Sequence, residues 1–411
     1  MVDDIKPLNI LYVTHGYKPA YRLGGPVMSV SGAAEELVSR GHKVVVYTSN
    51  SNLDKKLDVP INQPVSVNGV EIWYFDVKKV KPNTLLYFNI FTKSVGFLYT
   101  PQIISVLDHH IFGFDLIHTQ MPFVYPTLVA GRKAIKVAKP LFYQHRAVFS
   151  PGYLRYRKLL KQIYISLFEK PIMRRANILI ALTPADISCY RDLGLKQTIR
   201  VVPNGVNLAD YDQSVKGKFE STELNALNDD KTVILFLSRF HPVKGMDILL
   251  NAFIKISGLY SDSILVFAGP DQHGLRDQLS AKARSVGLGD RVIFPGFISG
   301  DQKRNLLTRA DLFCLPSAAE GFSIAILEAL ASATPVLITP ECNFHEILTH
   351  EAGWIAERDV GEWVKFLSQI LENKSKLKSI GKNGFNLVKS SYTWDNVVNK
   401  LESVYYEGLH R

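Results

Sequence analysis

Short apolar runs alternate with helix-length stretches along this chain, and the alternation restarts halfway. In the first block the runs are Ile10–Thr14, Lys43–Thr48, Val70–Phe75, Leu116–Thr119, Leu141–Gln144, Ile178–Leu182 and Ile199–Val202. Helical stretches fill Pro26–Arg40, Phe123–Val137, Leu154–Ala176 and Pro184–Leu193, while the polar, turn-rich Asn50–Asn68 reads as loop. In the second block the runs are Val233–Leu237, Ile264–Ala268, Arg291–Phe294, Leu312–Leu315 and Val336–Ile338. They alternate with helices over Gly245–Gly258, Leu275–Val286, Asp301–Thr308, Ser323–Ala331 and Val360–Ser390, and Trp394–Leu409 forms a last amphipathic helix. Runs that are apolar on both faces belong to parallel strands covered by helices on both sides. The fold class is therefore α/β, with two doubly wound, Rossmann-like parallel sheets facing across a cleft.

A chain of 411 residues predicts two or three domains. The boundaries follow from the restart: 1–205, then 206–390, with 391–411 as a helix returning to the first domain. The charged, apolar-poor segment Asp210–Asp230 reads as the connection.

The net charge is +10, and its placement matters more than its size. Residues 1–212 carry 26 Lys+Arg against 15 Asp+Glu, whereas residues 213–411 carry 22 against 23. Arg132–Arg175 alone holds 12 basic residues and one acid, Glu169. A local basic field attracts an anionic partner. Tyr153, Leu154, Tyr156, Leu159, Leu160, Ile163 and Tyr164 lie among Arg155, Arg157, Lys158 and Lys161, a mixture suited to a helix on an anionic membrane surface. The alternative is a solvated helix face.

No run of about 20 apolar residues occurs, and Asp3 and Asp4 precede any apolar run, so neither a membrane span nor a secretory leader is expected. Cys189, Cys314 and Cys342 are widely spaced, which fits neither a disulfide framework nor a zinc knuckle. A cytoplasmic location is expected, peripheral on the inner membrane face if the basic segment binds lipid.

In open α/β sheets ligands bind beyond the carboxyl ends of strands, and three such places carry chemistry. Gly24-Gly25-Pro26 follows the first run and opens a helix, whose N-terminal amides suit an anion. Arg239 and Lys244 flank the loop after Val233–Leu237; a guanidinium fork and an ammonium match a diphosphate. His241, between them, reads as a loop-packing residue. Glu320-Gly321-Phe322-Ser323 follows Leu312–Leu315 and enters a helix containing Glu328. Eight helical residues rise about 12 Å, more than a glycosidase carboxylate pair allows, so these acids read as two acceptors for hydroxyls along an extended ligand.

Glu320 to Glu328 resembles the E-x7-E signature of nucleotide-sugar-dependent retaining glycosyltransferases of the GT-B fold, and more narrowly glycosyltransferase family 4. The resemblance covers nearly the whole chain. Gly24-Gly25-Pro26 is similar to the family's glycine loop, Val201–Val206 to its domain junction, Arg239 and Lys244 to its R-x4-K pair, and Ile293-Phe294-Pro295-Gly296-Phe297 to the loop flanking the base. The resemblance implies that Arg239 and Lys244 hold the leaving diphosphate, and that Glu328 accepts from the ribose. Glu320 would hold the transferred sugar with the amides of Gly321, Phe322 and Ser323, and Gly25 would approach a phosphate. His145 resembles a family histidine beside donor sugar and acceptor; its alternative is packing at a strand end. Arg146 stands where many relatives have glycine, and Gln120 where a second histidine is common.

The implied partners are a nucleotide-sugar donor and a glycan or lipid-linked acceptor, with no nucleic acid. No cofactor or metal is expected: Asp210-Tyr211-Asp212 matches a metal pattern of another fold but falls in the connection. A GT-B phosphorylase or epimerase would share the donor residues, and a basic nucleic-acid-binding protein is the non-enzymatic alternative, disfavoured because the charge is confined to one segment without a recognition motif. A dehydrogenase is disfavoured by the missing third glycine.

Overall fold

The computed structural model describes residues 6–53, 55–78, 97–150, 154, 158–211, 219, 224, 227, 230–271 and 273–411. The chain divides into two compact units, Met1–Asn204 with Trp394–Arg411, and Gly205–Thr393.

The first unit is built on β1 (Asn9–Val13), β2 (Lys43–Ser49), a two-residue pair β3 (Ser51–Asn52) and β4 (Lys55–Lys56), β5 (Pro64–Val67), β6 (Val70–Phe75), β7 (Leu116–Gln120), β8 (Leu141–Gln144), β9 (Ile178–Ala181) and β10 (Ile199–Val201). Its main sheet runs β10-β9-β8-β7-β1-β2-β6-β5. Every neighbouring pair is parallel except β5 and β6, which are antiparallel. The chain leaves β1 toward β2 on one side and returns to β7 on the other, so the order reverses between β1 and β7. Two apolar layers cover the two faces of the sheet's inner strands, one including Leu11, Val45, Tyr47, Ile117 and Leu179 and the other Ile10, Tyr12, Val46, Phe142 and Ile180. These residues alternate along each strand, as the two-residue period requires.

The second unit holds β11 (Thr232–Leu237), β12 (Ser263–Ala268), β13 (Val292–Gly296), β14 (Leu312–Leu315), β15 (Val336–Ile338) and β16 (Gly353–Ile355) in the order β13-β12-β11-β14-β15-β16, all parallel. Here the order reverses between β11 and β14.

Several expectations need correction. Asn50–Asn68 is not wholly loop, because Pro64–Val67 pairs with β6 as an edge strand. β16 was not anticipated, because its residues Gly353, Trp354 and Ile355 are half-exposed at the sheet edge and form no apolar run. Val360–Ser390 is two helices, Val360–Glu372 and Leu377–Ser391, interrupted at Asn373 and a 3-10 turn over Lys374–Lys376. Leu154–Ala176 contains helices over Lys158–Tyr164 and Lys170–Met173 joined by a π-turn at Ile165–Glu169. The helix Ile103–His110 was not anticipated.

The final helix, Trp394–Leu409, packs on the first unit's sheet through buried Val397, Val398, Leu401, Val404 and Tyr405. Arg40 clamps its outer side, donating to Glu402 at 2.7 Å, Asn399 at 2.6 Å and the Asp395 carbonyl at 2.7 Å. Each large apolar side chain is worth about 1.5–3 kcal/mol when buried, so five together approach a domain's whole margin of about 5–15 kcal/mol. Deleting 394–411 should therefore abolish the first unit's calorimetric transition. A truncated chain that kept both transitions would show the helix to be an ornament.

Candidate functional site

The second unit's chemistry gathers at its reversal point. β11 and β14 are neighbours, and their loops leave the same edge of the sheet on opposite courses. After β11 the chain passes Ser238 and Arg239, makes a 3-10 turn over Pro242–Lys244 and turns at Gly245 into the helix Met246–Ile256. After β14 it passes Pro316 and Ser317 to Glu320 and enters the helix Ile324–Ala331. The Ala318 amide donates to the Val243 carbonyl at 2.7 Å, tying the loops together. Gly245 makes this possible. Its φ is +69°, and a Cβ there would lie 2.1 Å from the Pro316 carbonyl oxygen.

Between these loops the Lys244 ammonium donates to Glu320 Oε1 at 2.5 Å, with both side chains buried. The Glu320 backbone is fixed from β15's side, its amide donating to the Glu341 carbonyl at 3.0 Å and its carbonyl accepting from Asn343 Nδ2 at 2.9 Å. Arg239 is exposed on the β11 loop. His241 lies between the cations and accepts from the Val243 amide at Nδ1, 3.1 Å. Its pKa is held below the ordinary imidazole value by burial, then by His273, Arg239 and Lys244. The two cations thus stand on one loop, with the exposed His241 between them.

Glu328 lies one helix length on and is buried. It accepts from Lys303 at 2.6 Å and from the Tyr211 hydroxyl, whose pKa is raised by burial and then by Glu328 itself. Each acid therefore has its own cation, Glu320 with Lys244 and Glu328 with Lys303. Sequence reasoning missed Lys303 and Tyr211; a lysine on an amphipathic helix and a tyrosine in a connection carry no local signal. Ser323 forms the N-cap without a side-chain bond, and the helix's first bond runs from the Leu327 amide to the Ser323 carbonyl. The preceding first-turn amides lack intrahelical acceptors. Gly321 lies beside them, whereas the Phe322 ring is buried against Phe344 and Tyr392. Pro295 and Gly296 end β13, and the Phe297 ring beyond them is 49% exposed.

In the first unit, Gly24 caps the helix Gly25–Ser39 with φ 81° and ψ −147°, a region only glycine adopts readily. Gly25 is the helix's first residue and Pro26 follows it. His145 follows directly on β8. It is fully buried, stacked on Phe149 with centroids 5.0 Å apart and edge-on to Tyr190 at 4.5 Å. Neither ring nitrogen has a hydrogen-bond partner among the described residues, and Asp186 Oδ1 is 3.8 Å from Nε2. In this arrangement it packs a strand end and touches no open surface. Arg155 and Arg157 lie outside the described residues, whereas Lys158 is exposed and Lys161 half-buried.

Burial holds both His145 and His118 below the ordinary imidazole pKa near 6.5. The unfolded chain takes up a proton as pH falls through 6.5 while the folded chain refuses it, so stability declines as pH drops from about 6.5. Each histidine contributes about 1 kcal/mol per pH unit in that window. Urea midpoints at pH 7.5 and 5.5 should differ accordingly, and the His118→Gln/His145→Gln variant should flatten the difference; an unflattened slope contradicts this assignment.

Among the described residues, no group of three or more His, Cys, Asp or Glu gathers with the spacing of a metal site, and no helix is long and apolar enough to cross a membrane.

Two parallel-sheet units of this kind, the second with basic and acidic residues at its reversal point, define the GT-B class. Solved structures of that class overlay nearly the whole chain. Sucrose-phosphate synthase from Thermosynechococcus elongatus matches with a TM-score of 0.73 at 19% identity, covering 97% of this chain and 98% of that one. Anabaena HepE in complex with UDP and glucose matches with a TM-score of 0.72 at 18% identity, covering 97% and 99%. Residues 23–210 match the model of Glycosyltransferase Family 4, and residues 218–387 that of Glycosyl transferases group 1. An uncharacterised glycosyltransferase of Methanocaldococcus jannaschii is 25% identical over 97% of this chain and 98% of its own length. The chain belongs to glycosyltransferase family 4 and is a glycosyltransferase.

Proposed function

We propose that the chain is a retaining, metal-independent glycosyltransferase that moves a hexosyl group from a nucleotide-diphosphate sugar to a glycan or lipid-linked acceptor in glycoconjugate or polysaccharide synthesis. The observation that carries this reading is the buried Lys244–Glu320 contact at the reversal point of the second sheet. A cation suited to the leaving phosphate and an acid suited to sugar hydroxyls stand side by side, as the junction between sugar and diphosphate demands. HepE, a structure of the same fold, is in complex with UDP-glucose in one form.

In the reaction, the bond from sugar C1 to the diphosphate oxygen breaks and the acceptor hydroxyl oxygen bonds to C1. The acceptor proton passes to the departing phosphate on the same face of the sugar. Lys244 and the exposed Arg239 neutralise charge as it builds on the diphosphate, the role for which preorganised donors matter most. Glu320 and the first-turn amides beside Gly321 hold the sugar, Glu328 accepts from the ribose, and Phe297 with Pro295 and Gly296 flanks the base. Gly25, at the first position of its helix, brings its backbone amide to a phosphate, and Gly24, whose own amide donates to the Tyr21 carbonyl, shapes the turn before it.

Leu159, Ile163 and Leu167 are 71%, 40% and 61% exposed and lie four residues apart, on one face of the Lys158–Glu169 segment. With Lys158 beside them, they favour peripheral contact with an anionic membrane, and hence an isoprenoid-diphosphate-linked acceptor.

Thermal-shift screening against UDP-, GDP-, ADP- and dTDP-sugars tests the donor assignment. The matching donor raises the unfolding temperature by mass action; no shift with any of them removes the nucleotide-sugar reading. Co-sedimentation with anionic vesicles tests the surface, where binding should fall with salt, and failure to bind even at low salt removes the membrane.

A further inference from the structure

The first sheet has its own reversal point, between β1 and β7, and a second cation occupies it. Arg146 follows β8, yet its guanidinium reaches back across that point. Its Nε and Nη2 donate to Gln120 Oε1 at the end of β7, the former at 2.9 Å. Its Nη1 donates to Ser29 Oγ at 2.7 Å, in the helix that follows β1, and to Asn204 Oδ1 at 3.3 Å. All three partners are neutral. Among the described residues no carboxylate lies within ion-pair distance of it. Burial lowers its pKa to about 10, still far above neutrality, so the side chain remains a cation.

A half-buried arginine bonded only to neutral groups gives up part of its hydration with no counter-ion in return. The backbone around it is unusual as well. Met121 and Phe123 after β7, and Arg146 and Ala147 after β8, all have positive φ without being glycine, at 81°, 68°, 49° and 62°. Left-handed backbone at non-glycine residues concentrates where a ligand site must be shaped. Here it clusters beyond the carboxyl ends of two adjacent parallel strands, beside the reversal point where ligands bind.

We propose that Arg146 is the anion-recognition residue of the acceptor site, selecting acceptors that carry a phosphate or diphosphate near the reacting hydroxyl. One Nη2 hydrogen has no acceptor among the described residues, and those on Ser29 and Asn204 can exchange a neutral acceptor for an anionic oxygen, which strengthens the bond. The proposal rests on the glycosyltransferase reading above, but on a different unit from the donor residues. The anion is either a lipid-linked diphosphate or a free sugar phosphate; both present the same oxygens.

The test is calorimetric titration of the full chain with farnesyl diphosphate, glucose 6-phosphate and neutral methyl glucoside. It is run in an Arg239→Gln/Lys244→Gln background, which removes the proposed donor-diphosphate cations, with and without Arg146→Gln. Arg146→Gln should weaken at least one anionic probe by about ten- to hundredfold and leave methyl glucoside unchanged. The probe that responds more strongly identifies the source of the anion. Unchanged affinity for both anionic probes overturns the proposal. If Arg146→Gln does not fold, Arg146→Lys carries the test: losing the fork at a shared site should still weaken the anionic probe several-fold, and full retention overturns the assignment. Failure of the donor reading is separately visible, because the background variant would then bind nucleotide-sugars as the wild type does.

Discussion

Lys244→Ala should lower turnover by about 10²–10³, the usual cost of losing one preorganised donor at developing charge. The structure adds a second consequence. Glu320 would be left buried with its cation gone, and breaking a buried pair costs about 3–5 kcal/mol. The single variant should therefore be both slow and less stable. Lys244→Ala/Glu320→Gln separates the effects, because the neutral amide no longer needs a cation. The double variant should recover most of the lost unfolding free energy in urea and none of the lost turnover. Recovery of activity together with stability would mean that Lys244 serves only to hold the loop.

Gly245→Ala should be comparably damaging for a different reason. The residue sits at φ +69°, and the new methyl would lie 2.1 Å from the Pro316 carbonyl oxygen, a backbone atom that cannot swing aside. Left-handed strain alone costs about 1–3 kcal/mol, and separating the loops adds to it. Since those loops present Lys244 and Glu320, nucleotide-sugar binding should fall along with the unfolding midpoint. A variant with wild-type stability and affinity would show that the loops can part without cost, contrary to the packing described here.

Both lesions act at a place that the sequence made legible in outline. The apolar runs located the strands to within a residue or two where they are central and covered on both faces, as β8, β14 and β15 are. Two edge strands of the main sheets escaped, because Pro64–Val67 and Gly353–Ile355 are partly exposed and lack a continuous apolar run. The spacing of Arg239, Lys244, Glu320 and Glu328 pointed to a common ligand, but pairing is a tertiary fact. That Glu320 takes Lys244 as its partner depends on the adjacency of β11 and β14, strands separated by two complete β-α units in sequence. Lys303 lies on a helix whose outward positions look alike, and only the fold brings it to Glu328. His145 shows a different limit of the sequence. A motif can mark its position, but not that Phe149 and Tyr190 enclose the ring.

The central claim is that Arg239 and Lys244 bind the diphosphate of an activated sugar. Its most direct test is the calorimetric affinity of the wild type and of Arg239→Gln/Lys244→Gln for the nucleoside diphosphate that the thermal-shift screen selects. With each charge-assisted bond worth about 1.5–3 kcal/mol, the double variant should bind at least about a hundredfold more weakly. Equal affinity in the two proteins would contradict the account.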